Sequence, residues 1–504
     1  MKALFFCRTN RTKMMLHIAK YFKEMKCLDK AYAFVAYYDK WRDYLENQSE
    51  IDFDKITGTK ELFRRMDEEQ LQYEAIERIE KDYSSDIELW NLIFCEPMIV
   101  LHTHHKYYNQ PAFKSREEYL KFVQVTFHFF EELFDEIKPD MVIDFARISI
   151  LRGIINLVAR KRNIPFMYPT HALVKDRYYI CRDIWEEYKP IVDAYHKLLT
   201  EKAQCPDGYD YLKWFRESGE KSIYYHRLRP DEKKKISMKD IKKTVALALR
   251  IPKEINLRFR ARKDPVIRYN FQLFKGLPSV KGYRDLMAGF RKLLLKIKPP
   301  FKNIADNKNY VLLTLHVQPE ASTSVLSPYF VNQRAVIDGI SRSLPLGWEL
   351  VIKPNHSMVG IEPISFYSWI NSIPNACLVS PHADIKKLIE NSKMVIAITG
   401  TSGFEAALKG KKVIIMSNKP IWSMIRGIVL CTDFTKLHRI INEEKNKNID
   451  DYDLAAYLQA VHDNSFSLKE NYIWKGTYDL SDPDYKEAIN IIAQKIYEAY
   501  RQEK

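Results

Sequence analysis

Cysteine is sparse and badly placed for structural work. Seven residues (Cys7, Cys27, Cys95, Cys181, Cys205, Cys377 and Cys431) are scattered over 504 positions with no C-x-x-C pair. That spacing excludes a zinc ribbon and a disulfide framework and predicts a reducing compartment, the cytoplasm. Long apolar runs are missing too: none approaches the ~20 residues of a membrane span. The N-terminus, MKALFFCRTN, has too short an apolar core for a signal peptide and reads as a first strand over Ala3 to Cys7. Glycine is scarce, with 15 residues, and forms neither a P-loop nor a G-x-G-x-x-G fingerprint. No repeat of 20–50 residues is visible.

What is present is a globular chain, 46% apolar, long enough for two or three domains. Strand and helix patterns alternate over residues 1–204: a helix over Thr12 to Lys26, a strand over Tyr32 to Ala36, and a charged helix over Glu61 to Ile79. An aromatic-rich helix over Tyr119 to Ile137 leads into a strand within Lys138 to Phe145, a helix over Ile150 to Lys161 and a strand over Ile164 to Tyr168. The rhythm returns over 304–480, with strands at Tyr310 to Leu315, Trp348 to Lys353, Ala376 to Val379 and Val395 to Ile398. Between them, 205–303 is charged, aromatic and interrupted by prolines, and reads as a basic helical insert or linker. A last helix within 481–504 is expected to pack back on the first half. The fold class is therefore α/β: two Rossmann-like halves with a basic helical linker, a GT-B-like architecture.

The most chemical stretch is VIAITGTSGFEAALKGKKVIIM, Val395 to Met416. An apolar strand runs into the small-residue turn Thr399, Gly400, Thr401, Ser402, Gly403, then into a helix for which Ser402 is the expected N-cap. Such a turn exposes backbone N–H groups and the positive end of a helix dipole, which suits a phosphate. It is also compatible with a tight structural corner. Glu405, in the expected first helical turn, is placed to meet a ribose hydroxyl.

Three more loops follow strands of the second half and should converge with that turn, because ligands of open α/β sheets sit at the carboxyl ends of strands. They are Leu315 to Thr323, with His316 and Glu320; Lys353 to Gly360, with Lys353, Asn355 and His356; and Ser380-Pro381-His382. A lysine, histidines and a carboxylate around a phosphate-ready turn supply cations for a departing phosphate. No D-x-D motif lies in these loops, so no metal is implied.

These same pieces carry a resemblance. LHVQPEAST, KPNHSMVGIEPISFY and the run from Ile373 to Met416 resemble bacterial capsular polysaccharide biosynthesis proteins, a family that includes retaining Kdo transferases of GT-B fold. The family's second loop usually reads K-E-H-P-S-M; here Asn355 holds the histidine position and His356 falls where proline is expected. The resemblance implies a metal-independent glycosyltransferase of capsule or lipopolysaccharide assembly, acting on a surface polysaccharide or its lipid-linked precursor. No cofactor is implied beyond the donor substrate, a nucleotide sugar that is CMP- or UDP-linked. Under that reading Thr399 to Gly403 holds the donor phosphate, Glu405 the ribose, and Lys353 with His316 or His356 assists nucleotide departure. Glu320 is the carboxylate near the anomeric centre. The first half carries the acceptor, with Asp144 or His171 to deprotonate it; Asp144 is alternatively a helix cap. Two other readings stay open: a nucleotide-sugar epimerase or CDP-alcohol phosphotransferase on a similar fold, and a non-catalytic membrane-docking partner in polysaccharide assembly.

The cluster His102-Thr103-His104-His105 lacks ligand spacing for a metal and reads as a polar loop. Charge is concentrated elsewhere. Residues 227–302 hold 23 Lys and Arg against 6 Asp and Glu, so their net charge exceeds the +15 of the whole chain. Basic residues interleaved with apolar ones suit an anionic membrane surface, consistent with a peripheral cytoplasmic enzyme. No nucleic-acid motif accompanies them, and no nucleic acid is expected.

Overall fold

The computed structural model describes residues 1–36, 39–85, 87–96, 99, 113, 115–146, 149–185, 188–218, 259–270, 278–304, 308–468 and 478–502. Residues 227–258 and 271–277 of the basic segment and the histidines 102–105 lie outside them.

The first half alternates strands β1 (Lys2–Cys7), β2 (Lys30–Val35), β3 (Lys55–Gly58), β4 (Met141–Ile143), β5 (Phe166–His171) and β6 (Arg177–Cys181) with helices α1 (Arg11–Glu24), α2 (Asp39–Asn47), α3 (Thr59–Glu68), α4 (Tyr73–Tyr83), α5 (Leu89–Phe94), α6 (Arg116–Ile137) and α7 (Ile150–Lys161). Apolar runs such as Ala3 to Cys7 are buried along their whole length, as strands covered on both faces require. Phe34 of β2 shows what holds the layers together. It is fully buried and packs with Phe6 at 5.2 Å, Phe130 at 5.0 Å and Phe129 at 5.9 Å between ring centroids. Each ring buried in this way contributes roughly 1.5–3 kcal/mol.

Helices α8 (Lys189–Glu201), α9 (Pro206–Glu217), α10 (Pro265–Asn270) and α11 (Pro278–Ile297) connect the halves. The second half is built from β7 (Tyr310–Thr314), α12 (Ala321–Ser324), α13 (Gln333–Ser343), β8 (Glu349–Lys353), α14 (Ile364–Ser372), β9 (Ala376–Leu378), α15 (Ile385–Asn391), β10 (Met394–Ala397), α16 (Thr401–Leu408), β11 (Lys412–Ile415), β12 (Val429–Leu430), α17 (Phe434–Glu444) and α18 (Asp451–Asp463). The chain then returns to the first sheet as β13 (Phe466–Ser467), antiparallel to β6, and ends with α19 (Pro483–Arg501) against α1.

The strand orders are β13-β6-β5-β4-β1-β2-β3 and β12-β11-β10-β7-β8-β9. Pairings are parallel except at β5–β6 and β6–β13. In each sheet the chain winds outward from a central strand, then restarts on its other side, the doubly wound arrangement. The switch points fall between β1 and β4 and between β7 and β10.

Two local expectations are corrected. The helix expected over Glu61 to Ile79 is broken, because Glu69 is extended. Gln124 of α6 fills the gap: its amide donates to the Gln70 carbonyl at 2.9 Å and accepts from the Gln72 N–H at 2.8 Å. Ser402 does not cap α16, since it lies within the first turn.

Candidate functional site

At the second switch point, the loop after β7 and the turn after β10 leave neighbouring strand ends. They are tied together by side chains. Thr399 Oγ1 donates to the Ser322 carbonyl at 2.7 Å. The Thr314 and Ser402 hydroxyls share a hydrogen bond of 2.5 Å. Gly400 lies against the His316 ring, and a Cβ there would stand 3.4 Å from Cε1 and Nε2.

His316 is fixed from both sides. Its backbone N–H donates to Gln333 Oε1 at 2.7 Å, and Gln333 Nε2 donates back to its carbonyl at 3.3 Å. Nδ1 stands 3.3 Å from Ser322 Oγ, which in turn is 2.8 Å from Glu320 Oε2. A hydroxyl has one proton to give, and a carboxylate accepts. Ser322 therefore donates to Glu320 and accepts from His316 Nδ1–H. The tautomer follows: Nε2 keeps its lone pair. That atom is buried and has no hydrogen-bond partner among the described residues. Burial pushes the imidazole down to about 4. The expectation that His316 supplies positive charge is thus corrected; at neutral pH it is an uncharged acceptor.

The other two loops join this rim. Lys353 pairs with Thr314 across β7 and β8, and its Nζ donates to the Pro381 carbonyl at 2.7 Å. Asn355 Oδ1 accepts from the Ser357 N–H at 3.0 Å and caps the short turn His356–Met358, a structural place for the departing residue of the second loop. His356 Nε2 is 3.2 Å from Ser357 Oγ. Met358 is buried, and its sulfur accepts from the Gln318 N–H at 3.4 Å. His382 donates its backbone N–H to Ser380 Oγ at 3.2 Å, so the third loop is a closed turn.

Helix α16 opens at Thr401 with Gly400 before it, and no side chain caps it among the described residues. Its first N–H groups, Thr401 and Ser402, lie at the positive end of the helix dipole. Gly403 lets the helix close on Trp422: a Cβ there would meet Cη2 at 2.7 Å. Glu405 is buried and, because α16 starts at Thr401, falls just beyond the first turn. It lies near Lys386, whose ammonium is pushed down by burial and by Lys409 and pulled back up by Glu405.

The first switch point holds a charge cluster. Asp144, just beyond β4, is buried against Arg152, which reaches it through Nε and through Nη2 at 3.2 Å. Asp144 also accepts from the Phe145 N–H at 2.6 Å, and Arg152 stacks over the Phe6 ring at 4.6 Å. Asp144 is thus no bare carboxylate: the Arg152 guanidinium and the Phe145 N–H hold it within the fold. Nor does it cap α7; Ser149 does. His171 is the last residue of β5, not a loop residue, and is packed edge-on to Tyr178 at 4.8 Å. Its Nδ1 accepts from the Leu173 N–H at 2.9 Å.

Glu96 was not singled out by the sequence reading. It is buried, and its Oε2 accepts from the Ile150 N–H at 3.2 Å. Burial raises its carboxyl to about 7 against the opposing pull of Arg8, the Ile150 N–H and Arg152. The available signal was a lone acid in an otherwise apolar stretch, Leu92 to Leu101.

Elsewhere, Asp207, His462 and Asp463 bring three possible metal-ligand atoms within 4.8 Å of one another. The Gln459 amide already donates to both carboxylates, at 3.1 and 2.9 Å.

No protein-family model matches the sequence, and no curated protein matches it significantly. Among solved structures, the chain is similar to UDP-GlcNAc 2-epimerase from Neisseria meningitidis bound to UDP-GlcNAc. The two are 12% identical over 92% of this chain and 99% of that one, with a TM-score of 0.29. It is also similar to KpsC from Thermosulfurimonas dismutans. The β-Kdo 2,7-transferase matches at 12% identity over 69% of this chain and 81% of that one, TM-score 0.29. The β-Kdo 2,4-transferase matches at 11% over 64% and 79%, TM-score 0.30. A likeness of this size assigns neither a substrate nor a residue.

Proposed function

We propose that this chain is a metal-independent glycosyltransferase that moves a sugar from a nucleotide-activated donor to a polysaccharide or its lipid-linked precursor. The observation that carries the reading is the Glu320–Ser322–His316 chain, set against Gly400 at the switch point of the second sheet. It places an acceptor nitrogen beside N–H groups suited to phosphate.

The donor phosphate meets the first N–H groups of α16, and Lys353 supplies the neighbouring cation. Glu405 takes the ribose. His316 Nε2 faces a hydroxyl of the donor rather than a phosphate oxygen, because two lone pairs repel. Glu320, which accepts from the Ser322 hydroxyl, is the carboxylate close to the anomeric carbon. In transfer, the bond from that carbon to the phosphate oxygen breaks and its electron pair leaves on the phosphate. The acceptor oxygen forms the new bond and gives up its proton to a base. Glu96 is the acceptor-side candidate, since burial raises its carboxyl to about 7.

Calorimetry with CMP, UDP, GDP and CDP tests the donor half of this reading. One nucleotide should bind, and Lys353→Ala should weaken it. Absence of binding by all four would sink the proposal. A second reading is favoured by the same bare Nε2: a neutral base beside a carboxylate relay also suits proton abstraction from a sugar carbon, as in an epimerase. Incubating the protein with nucleotide sugars and no acceptor separates the two, because only an epimerase changes the sugar.

A further inference from the structure

Helix α11 has two unlike faces. On one side Leu295 is buried, and the backbone of Gly360 closes in so tightly that a Cβ would lie 2.5 Å from the Ala288 carbonyl oxygen. Arg291 Nη1 donates to the Ile361 carbonyl at 3.1 Å on the same side. The other side carries Tyr283, Leu286, Phe290, Leu293 and Ile297, all 38 to 71% exposed. At 100° per residue these five fall within an arc of about 80° and run four turns. Single exposed apolar residues are ordinary, whereas a continuous row of large ones marks a surface that something covers. Lys292 and Lys296 are exposed along one edge of the row, and Lys298 lies just beyond its end.

We propose that this face of α11 lies in the plane of an anionic lipid bilayer, with the five apolar side chains in the headgroup boundary and the lysines on the lipid charges. Charge decides the occupant. The helix belongs to the segment 227–302, where 23 basic residues face 6 acidic ones. Pairing with a second copy would bring two such surfaces together, while an anionic bilayer neutralises one. The helix lies along the surface rather than through it: among the described residues no helix is long and apolar enough to cross a membrane. About 30 Å of helix is then available for contact. The inference rests on exposure and charge at α11 and stands apart from the donor-site reading.

The test is flotation of the full chain with vesicles of phosphatidylcholine containing about 30 mol% phosphatidylglycerol, in about 150 mM salt. Binding is expected there and not with phosphatidylcholine alone. Leu293→Glu with Phe290→Glu should weaken it about tenfold or more, and Lys292→Glu with Lys296→Glu by a similar factor. All four side chains are exposed, so the melting temperature should not move, which separates lost contact from lost fold. Failure to float with anionic vesicles would overturn the proposal, as would binding that the apolar pair leaves unchanged. So would a concentration-dependent dimer in sedimentation that the apolar pair dissolves, since the face would then belong to a second copy. None of these outcomes alters nucleotide binding, which reports separately on the donor site.

Discussion

Nδ1 of His316 and Oγ of Ser322 stand 3.3 Å apart, and that contact decides which ring nitrogen is free. Ser322→Ala removes the tether and lets the imidazole adopt either tautomer. Turnover should fall roughly 10- to 100-fold with a smaller change in donor KM, and Ser322→Thr should recover most of it. Steady-state kinetics of the three proteins checks this; equal turnover in all three would remove Ser322 from the chemistry.

The same histidine should set an acid limit on stability. Burial lowers its folded value to about 4 from an ordinary 6.5, and His17, likewise lowered by burial, reaches about 4. In that window the unfolded chain binds the protons and the native chain does not, so stability is full above 6.5 and drains as pH falls towards 4. His316 alone accounts for up to about 3 kcal/mol. Melting curves between these pH values should be flatter for His316→Gln than for the parent protein.

Glu96 should act in the opposite sense. Its carboxyl is raised from 4.5 to about 7, so the native chain holds the proton longer than the unfolded one. Stability from this site is present below 4.5 and is lost as pH rises through 7. Glu96→Gln should therefore raise the melting temperature above pH 7 and leave it unchanged near pH 4.5. If Glu96 is also the acceptor-side base, the same variant loses transfer while keeping nucleotide affinity, which calorimetry and product analysis report independently.

Asp144 and Arg152 form a buried pair in which each needs the other. Asp144→Ala should cost about 3–5 kcal/mol by stranding a buried cation. The double variant Asp144→Leu with Arg152→Met should regain much of that loss. Denaturant titrations of the single and double variants measure the coupling, and additive losses would show the pair to be independent.

Glu405→Gln keeps the shape of a buried side chain and removes its charge. If the carboxylate receives the ribose hydroxyls, nucleotide affinity should drop about tenfold or more with little change in melting temperature. Unchanged affinity by calorimetry would remove Glu405 from the site.

Much of the layer structure was readable because buried parallel strands are continuous apolar runs; Tyr310 to Leu313 and Val413 to Ile415 are examples. The four loops of the second half were readable for the same reason, since they begin where those runs stop. What escaped depends on distant partners. The break at Glu69 has no Gly or Pro to announce it and is stabilised by Gln124 from another helix. Strand β6 pairs antiparallel with β5, outside the alternating rhythm. The charge state of His316 and the affinity of Glu96 arise from burial, which no local pattern carries. Asp144 drew attention for its place after a strand, yet Arg152, eight residues on, holds it.

Gly360 adopts φ +76 and leaves no room for a side chain between the second loop and α11. Two positions earlier in that loop, Met358 touches Gln318 and so reaches the His316 loop. A helix lying on a bilayer would thereby set the height of the proposed transfer centre above the lipid through the Gly360 and Met358 contacts. With α11 on lipid and the proposed transferase activity in place, the fold would act as a ruler, favouring acceptors whose reactive hydroxyl projects to that height and passing over shorter or longer ones.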